Sequence, residues 1–233
     1  MASALSTLIA SARTRLIETT ARFWTDAELL DLMQLGVRDL WKAVKDTNQD
    51  YFLTIDETNV SLAADSFVLT GVPTDVAVVR SIEPRHTSSL VDCFFRPKNY
   101  THPAFAQARR APAQDPNGVT IWYHPIAAGA PVAAPTIQVA PKVTAAVPLL
   151  LAYIPTIATL STASTNPIPG ETDNALIAWT VAYARAKERE DRSPDPEWLA
   201  IYGTEKSNLL VSIAPRQEDE PKVADAMFEL DWD

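Results

Sequence analysis

The sequence predicts an α+β protein: a four-helix unit built from N-terminal and C-terminal helix pairs, with a β-sandwich or barrel-like domain inserted between them. Three observations carry this. Apolar residues recur at helical spacing near both ends of the chain. About seven short apolar or β-branched runs, punctuated by proline and glycine, fill the middle. The 18 prolines concentrate between Pro73 and Pro169, and an interior proline costs a helix about 3 kcal/mol.

The first predicted helix runs from Ser3 to Glu18, with Leu5, Leu8, Ile9, Ala12 and Leu16 on one side. Thr25-Asp26-Ala27-Glu28 reads as a capping box, in which Thr25 accepts from the Glu28 amide and Glu28 reaches back. It opens a second helix to about Lys45, whose apolar face is Leu29, Leu32, Met33, Gly36, Leu40 and Val44. Gly36 costs a helix about 1 kcal/mol against alanine, which predicts close approach of another backbone there.

Strands are predicted at Tyr51–Ile55, Ser66–Leu69, Val76–Ile82, Leu90–Phe95, Val119–Tyr123, Ile137–Val143 and Val147–Tyr153. Arg96–Gly118 reads as a long projecting loop, and Thr156–Gly170 as a linker. Helical spacing returns at Asp173–Arg192, where Ala175, Ala178, Ala182 and Ala186 form a small-residue stripe and the last residues form a charged, solvated end. Asp195-Pro196-Glu197 starts the last helix, with Asp195 as cap and Pro196 at the first position. Leu199, Tyr202, Leu209, Leu210 and Ile213 supply its apolar face, and Pro215 stops it. The boundaries are 1–49 for the first helix pair, 50–165 for the β domain, 166–214 for the second pair and 215–233 for an extended C-terminal arm.

Composition excludes several function classes. A formal charge of −9 disfavours tight grip on a phosphate backbone. No apolar run reaches the roughly 20 residues that cross a bilayer, and the N-terminus lacks the pattern of a secretory signal. The single cysteine, Cys93, precludes an intrachain disulfide and fits a reducing compartment. His86, Cys93, His102 and His124 have no metal-ligand spacing. There is no nucleophile elbow and no glycine-rich phosphate loop. The expectation is a non-enzymatic assembly subunit with no catalytic residue, cofactor or metal.

Two candidate contact sites remain. Arg109 and Arg110 lie in the predicted loop, where guanidinium forks suit carboxylates of a neighbouring subunit. The C-terminal arm begins as a charged, proline-containing stretch without the means to build a core. It ends with Met227, Phe228, Leu230 and Trp232; from Phe228 on, apolar residues alternate with Glu229, Asp231 and Asp233. An added strand would put the apolar residues on one face and the acids on the other; a short amphipathic helix is the rival conformation.

The segment order also resembles a known family. Leu8-Ile9-Ala10-Ser11-Ala12-Arg13-Thr14-Arg15-Leu16, Phe23-Trp24-Thr25-Asp26-Ala27-Glu28-Leu29-Leu30 and Leu35-Gly36-Val37-Arg38-Asp39-Leu40 resemble the opening of the head-to-tail adaptor (connector) proteins of tailed bacteriophages. Asn174-Ala175-Leu176-Ile177-Ala178-Trp179, Tyr183-Ala184-Arg185-Ala186-Lys187-Glu188 and Trp198-Leu199-Ala200-Ile201-Tyr202 resemble its close. The long β zone is similar to that of the larger adaptors of short-tailed phages. The resemblance implies a structural virion protein in the neck between head and tail, assembled in the host cytoplasm. It further implies a ring, a dodecamer by that resemblance, between the portal protein and a tail or nozzle protein. The ring would line the channel through which DNA passes without specific binding, with no membrane contact, and the arm would reach the portal. The alternatives are another tail or baseplate binding module, or a virion-associated hydrolase.

Overall fold

The computed structural model describes residues 3–18, 23–85, 93–126, 135–168, 172–189 and 193–214. Among them the chain is α+β, with five helices and two sheets. In chain order the elements are α1 (Leu5–Arg15), α2 (Asp26–Thr47), β1 (Thr54–Asp56), β2 (Ser61–Leu62), β3 (Leu69–Thr70), β4 (Val76–Pro84), β5 (Phe94–Pro97), α3 (Pro103–Arg110), β6 (Thr120–Ile126), β7 (Thr136–Ala140), β8 (Val147–Pro155), α4 (Asp173–Glu188) and α5 (Pro196–Ile213). They fall into two compact units: Met1–Asn48 with Thr162–Asp233, and Gln49–Ser161.

In the helical unit α4 is the central element, lying against α1, α2 and α5. Its alanine stripe explains how: Ala175, Ala178, Ala182 and Ala186 are all buried, and small side chains let helix axes approach. Gly36 on α2 faces the same helix, but its neighbour is a side chain rather than the backbone that the sequence suggested. A Cβ there would sit 2.8 Å from Cδ1 of Trp179, so the glycine makes room for an indole. The capping box forms as predicted: the Glu28 amide donates to Thr25 Oγ1 at 3.2 Å and the Thr25 amide to Glu28 Oε2 at 2.9 Å. Asp195 caps α5, accepting from the Glu197 amide at 3.0 Å.

Several charges fasten these helices together. Arg13, 7% exposed, donates to the Trp24 carbonyl at 2.8 Å and to Asp26 Oδ1 at 2.6 Å. It thereby ties the end of α1 to the start of α2. Trp24 is buried and donates from Nε1 to the Ala184 carbonyl at 3.2 Å. Lys187 meets Glu28 at 2.6 Å, and Lys206 meets Asp39 at 2.6 Å. Asp195 is buried between Arg185 and Arg189. The end of α4 is therefore more than a solvated charge run: Arg185, Lys187 and Arg189 each hold a carboxylate on a neighbouring segment. Residues 190–192 lie outside the described set.

The proposed linker is also partly packed. The Leu5 amide donates to the Ser164 carbonyl at 2.9 Å and the Asn166 amide to the Ser3 carbonyl at 2.9 Å. Asn166 and Ile168 are buried. This segment anchors the start of α1, a long-range role that composition does not reveal.

In the second unit β8 pairs antiparallel with β1, β2 and β4, and β2 pairs with β3. A smaller sheet joins β6 to β5 in parallel and to β7 antiparallel. Val68 bridges Gln138, and β4 lies against β5, so the circuit β4-β8-β2-β3-β7-β6-β5 returns to β4. One apolar cluster fills it, including Leu62, Leu69, Ile82, Ile121, Val139, Val147 and Leu151. The first predicted strand shifts to Thr54–Asp56 because residues 51–52 turn. The second shifts to Leu69–Thr70 because Ser66 turns onto Val68, its Oγ accepting from the Val68 amide at 3.1 Å. β2 is two residues long and gives no periodic signal. Gly71, at φ +73°, follows β3; a Cβ there would lie 1.9 Å from the Asn59 carbonyl oxygen.

Candidate interaction surface

The predicted loop holds a helix. After β5 the chain turns at Asn99, whose Oδ1 accepts from the Thr101 amide, and then forms α3. His102 is the N-cap: its Nδ1 accepts from the Ala104 amide at 3.1 Å, and Pro103 takes the first helical position, where no amide is required. Phe105, fully buried, makes α3 a packed element. Gln and Ala, taken as loop composition, are good helix formers once a cap and one aromatic anchor are supplied.

This helix separates the two arginines. Arg109 is half-buried; its guanidinium lies 5.1 Å from the Phe67 ring and 5.3 Å from the Tyr100 ring, and it donates to the Tyr100 hydroxyl. Arg110 is exposed. Arg109 therefore fixes α3 against its surroundings, and Arg110 points outward at its end.

A larger surface surrounds them. The β5–β6 register pairs Phe94 with Thr120 and Arg96 with Trp122, and the β6–β7 register pairs Trp122 with Ala140, His124 with Gln138 and Ile126 with Thr136. Side chains alternate along a strand. Ile121 and Tyr123 enter the core, so Arg96, Trp122, His124, Ile126 and Gln138 share the opposite face. Cations rest on rings across it: Lys98 Nζ is 4.9 Å from the Trp122 ring, and Lys142 Nζ is 4.6 Å from the Phe67 ring. Tyr100 lies 6.0 Å from His124 and 5.5 Å from Phe105. Such contacts contribute about 0.5–1 kcal/mol each at exposed sites. Among the described residues none of Arg96, Lys98, Arg109, Arg110 and Lys142 has a carboxylate within ion-pair distance.

The sequence pointed to Arg109 and Arg110 but not to Lys98, Trp122, His124, Lys142 or Phe67. The β6 strand was legible, and its period would have put Trp122 and His124 together; Phe67 and Lys142 come from distant positions that only pairing unites. Met227, Phe228, Leu230 and Trp232 lie outside the described residues.

Beside this face a cleft of about 320 Å³ is lined by Ile82, Glu83, Pro84, Cys93, Phe94 and Arg96, among others. Cys93 there is 3% exposed. Among the described residues no cluster of His, Cys, Asp and Glu is arranged to hold a metal, and no helix is long and apolar enough to cross a membrane.

Ionisation follows the fasteners of the helical unit. The Lys187 ammonium, with hydrogen bonds from Thr25, lowers the Glu28 carboxyl to about 2. Burial pushes the Asp39 carboxyl up, but bonds from Lys206 and Tyr202 outweigh it and hold it below the ordinary range. The Tyr202 hydroxyl is pushed up, by burial first and then by Asp39.

Comparison with known proteins agrees with the residue pattern. No curated protein matches the chain. The family model described as SU10 adaptor protein matches residues 3–222, which takes in every described residue; the apolar tip of the arm, 227–232, lies beyond that match. With nearly its whole length matched, the chain belongs to the SU10 adaptor protein family and is a structural head-to-tail adaptor of the phage neck.

Proposed function

We propose that the protein forms a ring between the portal protein and a tail or nozzle protein and lines the DNA channel there. The observation that carries this is the family match across residues 3–222, which spans both helical ends and the β segment together. In this reading the subunit is a four-helix unit, α1, α2, α4 and α5, carrying an inserted barrel-like β domain. The ring is a dodecamer by resemblance, and DNA passes without specific binding. The acidic excess supports a wall that does not hold DNA: residues 49–161 carry seven Lys and Arg against eight Asp and Glu, which leaves thirteen against twenty-one elsewhere.

Two contacts belong to this reading. The segment after Pro215 is a docking arm for the portal, through Met227, Phe228, Leu230 and Trp232. Burial of two aromatics and a leucine at about 25 cal/mol per Å² supplies several kcal/mol before ordering costs. Arg109 and Arg110 meet a neighbouring subunit or the tail. Exposed apolar residues on the helices, Ile201 at 44% and Val211 at 78%, support burial between copies.

The test is to mix the protein with portal and measure particle mass and image the product. A closed ring on the portal is expected. A monomer that stays free at high concentration with portal present overturns the reading. Truncation at Pro215 tests the arm separately: a chain as stable as the full one that no longer binds portal supports it, and unchanged binding disposes of it.

A further inference from the structure

Among the described residues, the cations on the outward face of the three-stranded sheet have no carboxylate within ion-pair distance. Arg96, Lys98, Arg110 and Lys142 point to an anion, and no carboxylate alternates onto this face from β5, β6 or β7. We propose that this face receives the acidic C-terminal segment of a neighbouring copy, with Glu218, Asp219 and Glu220 opposite Arg96, Lys98 and Arg110. This rests on the ring reading, which supplies the neighbour.

Two features select a peptide over a nucleic acid. The rings of Phe67 and Trp122 are already covered by Arg109, Lys142 and Lys98, which leaves little aromatic surface for a base to stack on. Apolar groups stand among the cations, Phe94 at 59% and Ile126 at 37% exposure, which suits a segment bearing both carboxylates and apolar side chains.

The occupant follows from charge and length. Residues 215–233 carry seven acidic side chains against two basic ones, the densest acidic stretch of the chain. Glu218–Glu220 lie four to six residues beyond Ala214, the last described residue, so the contact reaches at most about 20 Å from the end of α5 onto the adjacent subunit. The acidic run Glu218–Glu220 precedes the apolar tip, so a contact here leaves residues 227–232 free for the portal.

The experiment assembles the full chain on portal from an equal mixture of isotopically heavy and light protein and treats it with a zero-length carbodiimide. Links between Lys98 or Lys142 and residues 218–220 joining heavy to light chains are expected. The charge reversals R96E/R110E and E218R/D219R/E220R should each weaken ring assembly at least about tenfold, and an equal mixture of the two variants should recover part of it. A ring without between-copy links at Lys98 or Lys142, or with links only inside one chain, overturns the proposal while leaving the ring intact. Shielding of Lys98 by duplex DNA, with no link to residues 218–220, assigns the face to nucleic acid and also overturns it. Absence of any ring removes both readings.

Discussion

The two units differ in how many of their cations are paired: the helical unit holds six of the seven ion pairs among the described residues, and the β unit one, Arg80 with Asp50. In the helical unit Arg13, Lys187, Arg185, Arg189 and Lys206 each hold a carboxylate on another segment. In the β unit Lys98, Arg109 and Lys142 rest on aromatic rings, with no carboxylate in reach among the described residues. The first arrangement spends its charges on the subunit's own stability. The second leaves the ammonium groups of Lys98 and Lys142 free to donate to a partner. Substitutions in the two places should therefore differ in kind: loss of stability in the first, and loss of assembly with the fold intact in the second.

Arg13 gives the largest effect. Arg13→Ala leaves the buried Trp24 carbonyl without its donor and opens a void between α1 and α2, and it should cost about 3 kcal/mol in denaturant unfolding. The partner Asp26 is well exposed, so the upper end of the range for buried pairs is not expected. A cost below about 1 kcal/mol would show that Arg13 is not a fastener.

Two glycines sharpen the contrast between filled and open helix faces. Gly36→Ala gains helix propensity of about 1 kcal/mol but drives a methyl into Trp179, and overpacking costs about 1–3 kcal/mol, so a net loss of about 1 kcal/mol is expected. Gly203→Ala on α5 meets nothing within 4 Å and should stabilise the free subunit by up to about 1 kcal/mol. Both are read from thermal or denaturant unfolding; equal effects would erase the distinction.

Arg109 and Arg110 divide the β unit itself. Arg109→Ala removes the stacking on Phe67 and Tyr100 and should cost about 1 kcal/mol, whereas Arg110→Ala should stay within about 0.5 kcal/mol. The double reversal to glutamate should weaken assembly, and normal infectious particles from it would exclude this surface from any contact.

The smallest expected effect is the pH dependence of Glu28. Its folded pKa of about 2 lies below the ordinary 4.5. Its contribution is therefore full above about 4.5 and disappears as pH falls through about 2. Lys187→Met should raise the Glu28 titration toward its ordinary value in an NMR titration and shrink that acid-side loss. An unmoved Glu28 would show that the pair does not form in solution.

Local chemistry alone determined much of this molecule. The capping box at Thr25–Glu28, the Asp195-Pro196 start of α5 and the alanine stripe of α4 were legible because each depends on residues within one or two turns. The strands β4, β6, β7 and β8 were legible because a short apolar or β-branched run is a local pattern; β3 was placed a few residues early, and β2 is too short to show one. Tertiary structure decided the rest. α3 exists because Phe105 finds a core to enter, so a stretch with loop-like composition became helix. Residues 162–168, which composition marks as a linker, are held by the start of α1, more than 150 positions away in sequence. The cationic face exists because pairing brings Phe67, Lys98, Trp122, His124 and Lys142 to one side of a sheet. Periodicity tells which face of a strand a side chain takes; which distant strands share that face is settled by register and burial, energies that exist only once the chain has closed on itself.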